Sequence, residues 1–79
     1  MVKCTVDENK MGHLTVVFSD NKSIYLQSDY DRSAFLVACG VVVAPDNWDG
    51  QPENLPSEWW EVDAEDVTEC PDDYYEMRE

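Results

Sequence analysis

VKCTVDENKMGHLTVVFSDNKSIYLQ, residues 2–27, reads as three short strands separated by two turns. Val2, Cys4 and Val6 alternate with Lys3 and Thr5, the period of two expected of a strand with one buried face. Leu14, Val16 and Phe18 alternate with His13, Thr15 and Val17, and Ile24 and Leu26 form the apolar face of Ser23 to Gln27. Glu8-Asn9-Lys10-Met11-Gly12 and Asp20-Asn21-Lys22 supply the turns, with Asn9 and Gly12 suited to positive φ. Matching the apolar faces sets a register: Val6 opposite Leu14, Cys4 opposite Val16 and Val2 opposite Phe18. Across a three-residue second loop, Phe18 then opposes Ile24 and Val16 opposes Leu26. A two-residue loop is rejected because it sets Phe18 against Ser23, and a one-residue slip turns every apolar side chain to the wrong face. The expected product is a three-stranded antiparallel β-meander with one apolar face to cover.

The next segment offers the cover. Ser28-Asp29-Tyr30-Asp31 has the form of a capping box and places acids at the positive end of a helix. The helix is expected over about Asp29 to Cys39, with Gly40 in the left-handed position after its end. Ala34-Phe35-Leu36-Val37-Ala38-Cys39 is apolar on every side, which predicts packing on the far side of this helix as well. Val41-Val42-Val43 reads as a short strand ended by Pro45. PDNWDGQPENLPS, residues 45–57, holds three prolines and an Asp49-Gly50 turn signal, so an irregular crossing loop is expected. Its resemblance to a calcium loop is superficial: with Gly50 at the sixth place, Pro45 and Pro56 fall on the first and twelfth ligand positions.

Beyond the loop, Ser57 is placed to cap a helical turn over Glu58 to Glu61, although Trp59, Trp60 and Val62 suit a short strand equally. Asp63-Ala64-Glu65-Asp66 reads as a solvated turn, Val67-Thr68 as briefly extended, and Pro71 as the start of a final helical turn through Tyr74 and Tyr75. The fold class is therefore α+β: one central helix on the meander, with short helical turns in the acidic half. Residues 1–79 form a single domain, divided into meander plus helix (1–44), crossing loop (45–57) and acidic, aromatic covering segment (58–79).

Several function classes have no residues to carry them. Cys4, Cys39 and Cys70 lie 35 and 31 residues apart, an odd number with no close pair, which points to reduced thiols in a cytoplasmic setting and to no metal site. His13 is the single histidine and sits on a strand face, where a structural role is the ordinary one. Three glycines make no phosphate loop, no serine has a nucleophile-elbow setting, and no cofactor motif is present, so an enzyme is not expected. No apolar h-region follows Met1 and no apolar run is long enough to cross a bilayer, which predicts a chain that is neither exported nor membrane-bound.

Charge is the distinctive feature. The net charge is −13, but residues 1–40 carry five acids against four bases, whereas residues 41–79 carry thirteen acids against Arg78 alone. Two like charges about 7 Å apart repel by roughly 0.6 kcal/mol even in water. Crowding them into half of a small domain is unfavourable if solubility is the only demand. Direct binding of nucleic acid or of an anionic membrane is disfavoured by repulsion. The partner expected is a basic, nucleic-acid-binding protein. Duplex DNA carries one charge per about 1.7 Å, so thirteen charges correspond to about 22 Å of duplex, and a 79-residue domain is roughly 30 Å broad.

The run from Glu58 to Glu76, EWWEVDAEDVTECPDDYYE, with the chain's size, unpaired cysteines and α+β pattern, resembles the acidic, DNA-mimicking anti-CRISPR proteins of phages. That resemblance implies a non-enzymatic inhibitor of a type I CRISPR surveillance complex, acting in the host cytosol. The partner-binding carboxylates expected on the charge pattern are Glu58, Glu61, Asp63, Glu65, Asp66, Glu69, Asp72, Asp73 and Glu76, joined by Asp46, Asp49 and Glu53. Exposed members of the Trp59/Trp60 and Tyr74/Tyr75 pairs are candidate anchors. The alternative reading is an acidic adaptor or accessory subunit that uses an ordinary protein interface.

Overall fold

The computed structural model of the chain describes residues 1–56 and 59–77. Its strands are β1 (Val2–Glu8), β2 (Leu14–Phe18), β3 (Ser23–Leu26) and β4 (Glu69–Cys70). They form one antiparallel sheet in the order β3-β2-β1-β4, so the expected meander gains a fourth strand. β4 is two residues long, too short to show alternation, and arises from position: Val2 faces Cys70, Lys3 faces Glu69, and the Cys4 N–H donates to the Thr68 carbonyl at 2.9 Å.

Both hairpins pair two residues away from the expected register. Val6 faces Val16 and Cys4 faces Phe18, while Val16 faces Ile24 and Leu14 faces Leu26. A shift of two preserves the faces, so Val6, Leu14, Val16, Phe18, Ile24 and Leu26 are all buried as the pattern requires. The turns explain the shift. Each hairpin has a three-residue loop whose last residue is left-handed, Gly12 at φ 81° and Asn21 at φ 67°. The Gly12 N–H donates to the Asn9 carbonyl at 3.1 Å, and the Asn21 N–H donates to that of Phe18 at 2.9 Å. This is a type I turn followed by a bulge. Asn9 Oδ1 accepts from the Met11 and His13 N–H groups, and Asp20 Oδ1 accepts from that of Lys22.

α1 (Asp29–Ala38) starts and stops on the expected residues. Ser28 Oγ accepts from the Asp31 N–H at 3.1 Å. At the other end the Val41 N–H donates to the Leu36 carbonyl and the Gly40 N–H to that of Val37, both at 3.0 Å, with Gly40 at φ 78°. These paired bonds are a Schellman closure, and they leave Val41–Val43 in a loop in place of the expected strand. Phe35 and Leu36 are buried against the sheet residues, and Val42, Leu55, Ala64, Val67 and Cys70 complete the core. The cover over the far side of α1 is incomplete: Ala34 is half-buried and Ala38 exposed.

The three thiols, distant in sequence, are neighbours in space. Cys4 and Cys39 both lie near Cys70, and all three are unbridged. Burial, reinforced by the neighbouring thiols, pushes Cys4 and Cys39 up to about 12, and burial also raises Cys70.

Candidate functional site

The acidic segment is held against the core by its apolar residues. Trp59, Val62, Tyr74 and Tyr75 pack on the core, and Ala64, Val67 and Cys70 are buried in it. Trp59–Glu61 forms a 3-10 turn, which decides between the two readings of that stretch; Ser57 and Glu58 lie outside the described residues. Asp63–Asp66 is a turn with its three acidic residues exposed, as expected, but it is anchored by the residue between them. Ala64 is fully buried and opens a second 3-10 turn, Ala64–Asp66, that packs on β1 and is capped by Asp63 Oδ1, which accepts from the Glu65 N–H at 3.0 Å. After β4, Pro71 leads into α2 (Asp72–Glu76). There the Tyr74 ring meets Phe35 edge-on at 5.0 Å and the Tyr75 ring meets Phe18 at 5.2 Å. The Tyr75 hydroxyl donates to Asp20 Oδ2 at 3.0 Å, tying α2 to the second hairpin. Of the candidate anchors, Trp60 is the one that faces water, at 62% exposure.

Arg32 is the internal clamp of this arrangement. It is 3% exposed, and its Nη2 donates to both Glu8 carboxylate oxygens at 3.3 Å and to the Val62 carbonyl at 3.1 Å. The guanidinium lies over the Trp59 ring, 5.5 Å from its centroid. Its Nε has no hydrogen-bond partner among the described residues. One cation thus joins α1, β1 and the first turn of the acidic segment. Arg32 stands three and four residues before Phe35 and Leu36, on the helix face that meets the core. That spacing is the signal by which it can be found.

Eleven of the twelve candidate carboxylates are described, Glu58 being the other, and all eleven are exposed. They are carried on several elements. Asp46, Asp49 and Glu53 belong to the crossing loop, whose Pro52–Asn54 turn packs on α1. Glu61, Asp63, Glu65 and Asp66 belong to the two 3-10 turns, Glu69 to β4, and Asp72, Asp73 and Glu76 to α2.

Some already have work within the chain. Asp49 Oδ1 accepts from the Gln51 N–H at 3.0 Å and Oδ2 from the Asn54 amide at 2.9 Å. Those bonds hold its carboxyl below the usual range. Glu65 accepts from the Glu8 N–H at 3.3 Å, and Asp72 pairs with the Met1 amine at 3.4 Å. The Glu61 and Asp66 carboxylates make no hydrogen bond or ion pair among the described residues.

Lys3, Lys10 and Lys22 are exposed on the meander, and the sequence from Ser33 to Met77 contains no lysine or arginine. The molecule measures 34 × 26 × 19 Å. Its thirteen net charges along 34 Å give one per about 2.6 Å, sparser than the ~1.7 Å of duplex DNA. No helix among the described residues is long and apolar enough to cross a membrane, and none of their His, Cys, Asp and Glu side chains form a group of three or more able to hold a metal ion. No family model, curated protein or solved structure matches the chain.

Proposed function

We propose that this protein is a non-enzymatic inhibitor that occupies the nucleic-acid site of a basic partner, its ordered carboxylates standing in for phosphates. The observation that carries the reading is the division of labour within residues 59–77. Trp59, Val62, Ala64, Val67, Tyr74 and Tyr75 pack on the core, with Trp60 and Met77 left in water, while every acidic side chain stays exposed on backbone fixed by turns, β4 and α2. A fixed array loses little conformational entropy on binding, and its field speeds encounter with a basic groove. A type I CRISPR surveillance complex is the partner that the resemblance favours, because its DNA-binding surfaces are of this chemical kind.

The immobilised full chain is the bait. The expected prey is a nucleic-acid-binding protein that duplex DNA displaces. For about six phosphate-like contacts, affinity should fall on the order of a thousandfold between 50 and 200 mM salt. Replacing Glu61 and Asp66 by lysine should weaken capture without unfolding the domain, since neither carboxylate has a partner within it among the described residues. A prey that binds DNA and this protein at once sinks the reading in favour of the adaptor.

A further inference from the structure

Among the described residues, the sheet has an open edge at β3. The Phe18 N–H donates to the Lys22 carbonyl, which fixes the alternation of the ladder. Ile24 and Leu26 therefore bond inward to β2, and the backbone groups of Ser23 and Tyr25 point outward. No proline, lysine or bulge blunts Ser23–Leu26, the usual protections of an edge. Beside it runs a groove of about 440 Å³ floored by Leu26, Ala34, Ala38, Tyr74 and Met77. This is the strip of α1 that the covering segment leaves bare. Asp31 and Asp73 also line the groove, and no cation among the described residues does.

We infer that the β3 edge is a strand-addition site for an extended segment of a basic protein, with aliphatic side chains in the groove and Lys or Arg at its two carboxylates. An added antiparallel strand would take up the Ser23 and Tyr25 backbone groups. Its alternate side chains would face the groove on the same side as Ile24 and Leu26. Charge selects a basic segment over a second copy of this chain, because two copies would bring together molecules of net charge −13 and set Asp31 and Asp73 against their like. The proposal rests on the inhibitor reading only for the sign of the partner; the surface itself differs from the Glu61 to Glu69 carboxylates.

The probe is the capped peptide KTVTVTK, whose valines and terminal lysines share one face, titrated into the isotope-labelled full chain. The Ser23 and Tyr25 amide signals should shift and their hydrogen exchange should slow. The anchorless peptide KTGTGTK and the charge-reversed ETVTVTE should each bind at least about tenfold more weakly. Tyr25→Pro removes an outward N–H and leaves the bonds to β2 in place, so it should weaken KTVTVTK by a similar factor. Ala38→Gln, on an exposed helix position, obstructs the groove and gives the same test should Tyr25→Pro fail to fold. Equal binding of KTVTVTK and KTGTGTK, indifference to both substitutions, or shifts confined to residues 59–69 would overturn the inference. So would protection of the Ser23 and Tyr25 amides in a peptide-free dimer. Lysine at Glu61 and Asp66 should leave KTVTVTK binding within about twofold, so failure of the inhibitor reading and failure of this one are separable.

Discussion

Replacing Arg32 by alanine should be among the most damaging single changes available to this domain. It removes a charged hydrogen bond to the Val62 carbonyl, which contributes about 1.5–3 kcal/mol, and a stacking contact with Trp59 of about 0.5–2 kcal/mol. It also strands Glu8. A fully buried carboxylate left alone would add about 3–5 kcal/mol, but the Glu8 side chain is 27% exposed and can turn to water, so only a fraction of that applies. The expected loss is about 3 kcal/mol, set against a total stability of about 4–12 kcal/mol for 79 residues. The melting temperature should fall by about 12–24 °C.

Arg32→Met keeps most of the apolar stem but loses the same hydrogen bond and strands Glu8 in the same way, so it should recover only part of the loss and cost about 2 kcal/mol. Urea unfolding followed by far-ultraviolet circular dichroism measures both without depending on the altered Trp59. Hydrogen exchange should show the bonds of the 3-10 turns, Val62 N–H to Trp59 carbonyl and Asp66 N–H to Asp63 carbonyl, opening earlier than the β1–β2 ladder in Arg32→Ala. An alanine variant within about 0.5 kcal/mol of the parent, or a methionine variant as stable as the parent, would refute the clamp.

Other outcomes are open to simpler measurements. Cys4 and Cys39, held up to about 12, should resist alkylation at pH 8 in the folded chain and react at once in denaturant. Because both thiols are raised above the ordinary cysteine range, their contribution to stability is complete below about pH 8.5 and is lost as pH rises from there towards 12; alanine at both positions should flatten that slope in alkaline melts. Gly40→Ala meets no atom within 4 Å, so its destabilisation should be the backbone cost of a left-handed residue alone, about 1–2 kcal/mol by urea titration. Asp49 has its carboxyl lowered by the Gln51 N–H and the Asn54 amide, so the crossing loop should loosen as pH falls below about 4, and Asp49→Ala should abolish that step in the Trp48 fluorescence.

How far these features are legible without coordinates depends on the range of the force that makes them. The strand faces, the Ser28 cap and the Gly40 stop follow from neighbours in sequence, and each is found where its pattern puts it. Register failed by two because parity is set by the alternation, whereas the pairing sum is set by turn geometry, here the left-handed Gly12 and Asn21. β4 and the thiol cluster are products of tertiary placement and leave no local pattern. Sorting the aromatics needed the same information: Trp59 and Trp60 are adjacent and chemically identical, yet one lies beneath Arg32 and the other in water. The candidate carboxylates were legible as exposed groups, but the internal duties of Asp49, Asp63 and Glu65 were not, since each depends on one or two amides brought within reach by the local backbone or the fold.

The pairing of Val2 with Cys70 joins positions sixty-eight residues apart, whereas the meander and α1 are built from contacts between near neighbours. Loop closure over short spans is fast and over long spans slow. Assembly is therefore expected to run in an order: hairpins and helix first, with the carboxylate-rich segment docking onto them last. During that final step its charges must converge on the same surface, so added salt, which screens them, should hasten the late phase of refolding more than the early one. Under the proposed function, salt should then act in opposite senses on two events, speeding the formation of the acidic array and weakening its hold on a basic partner.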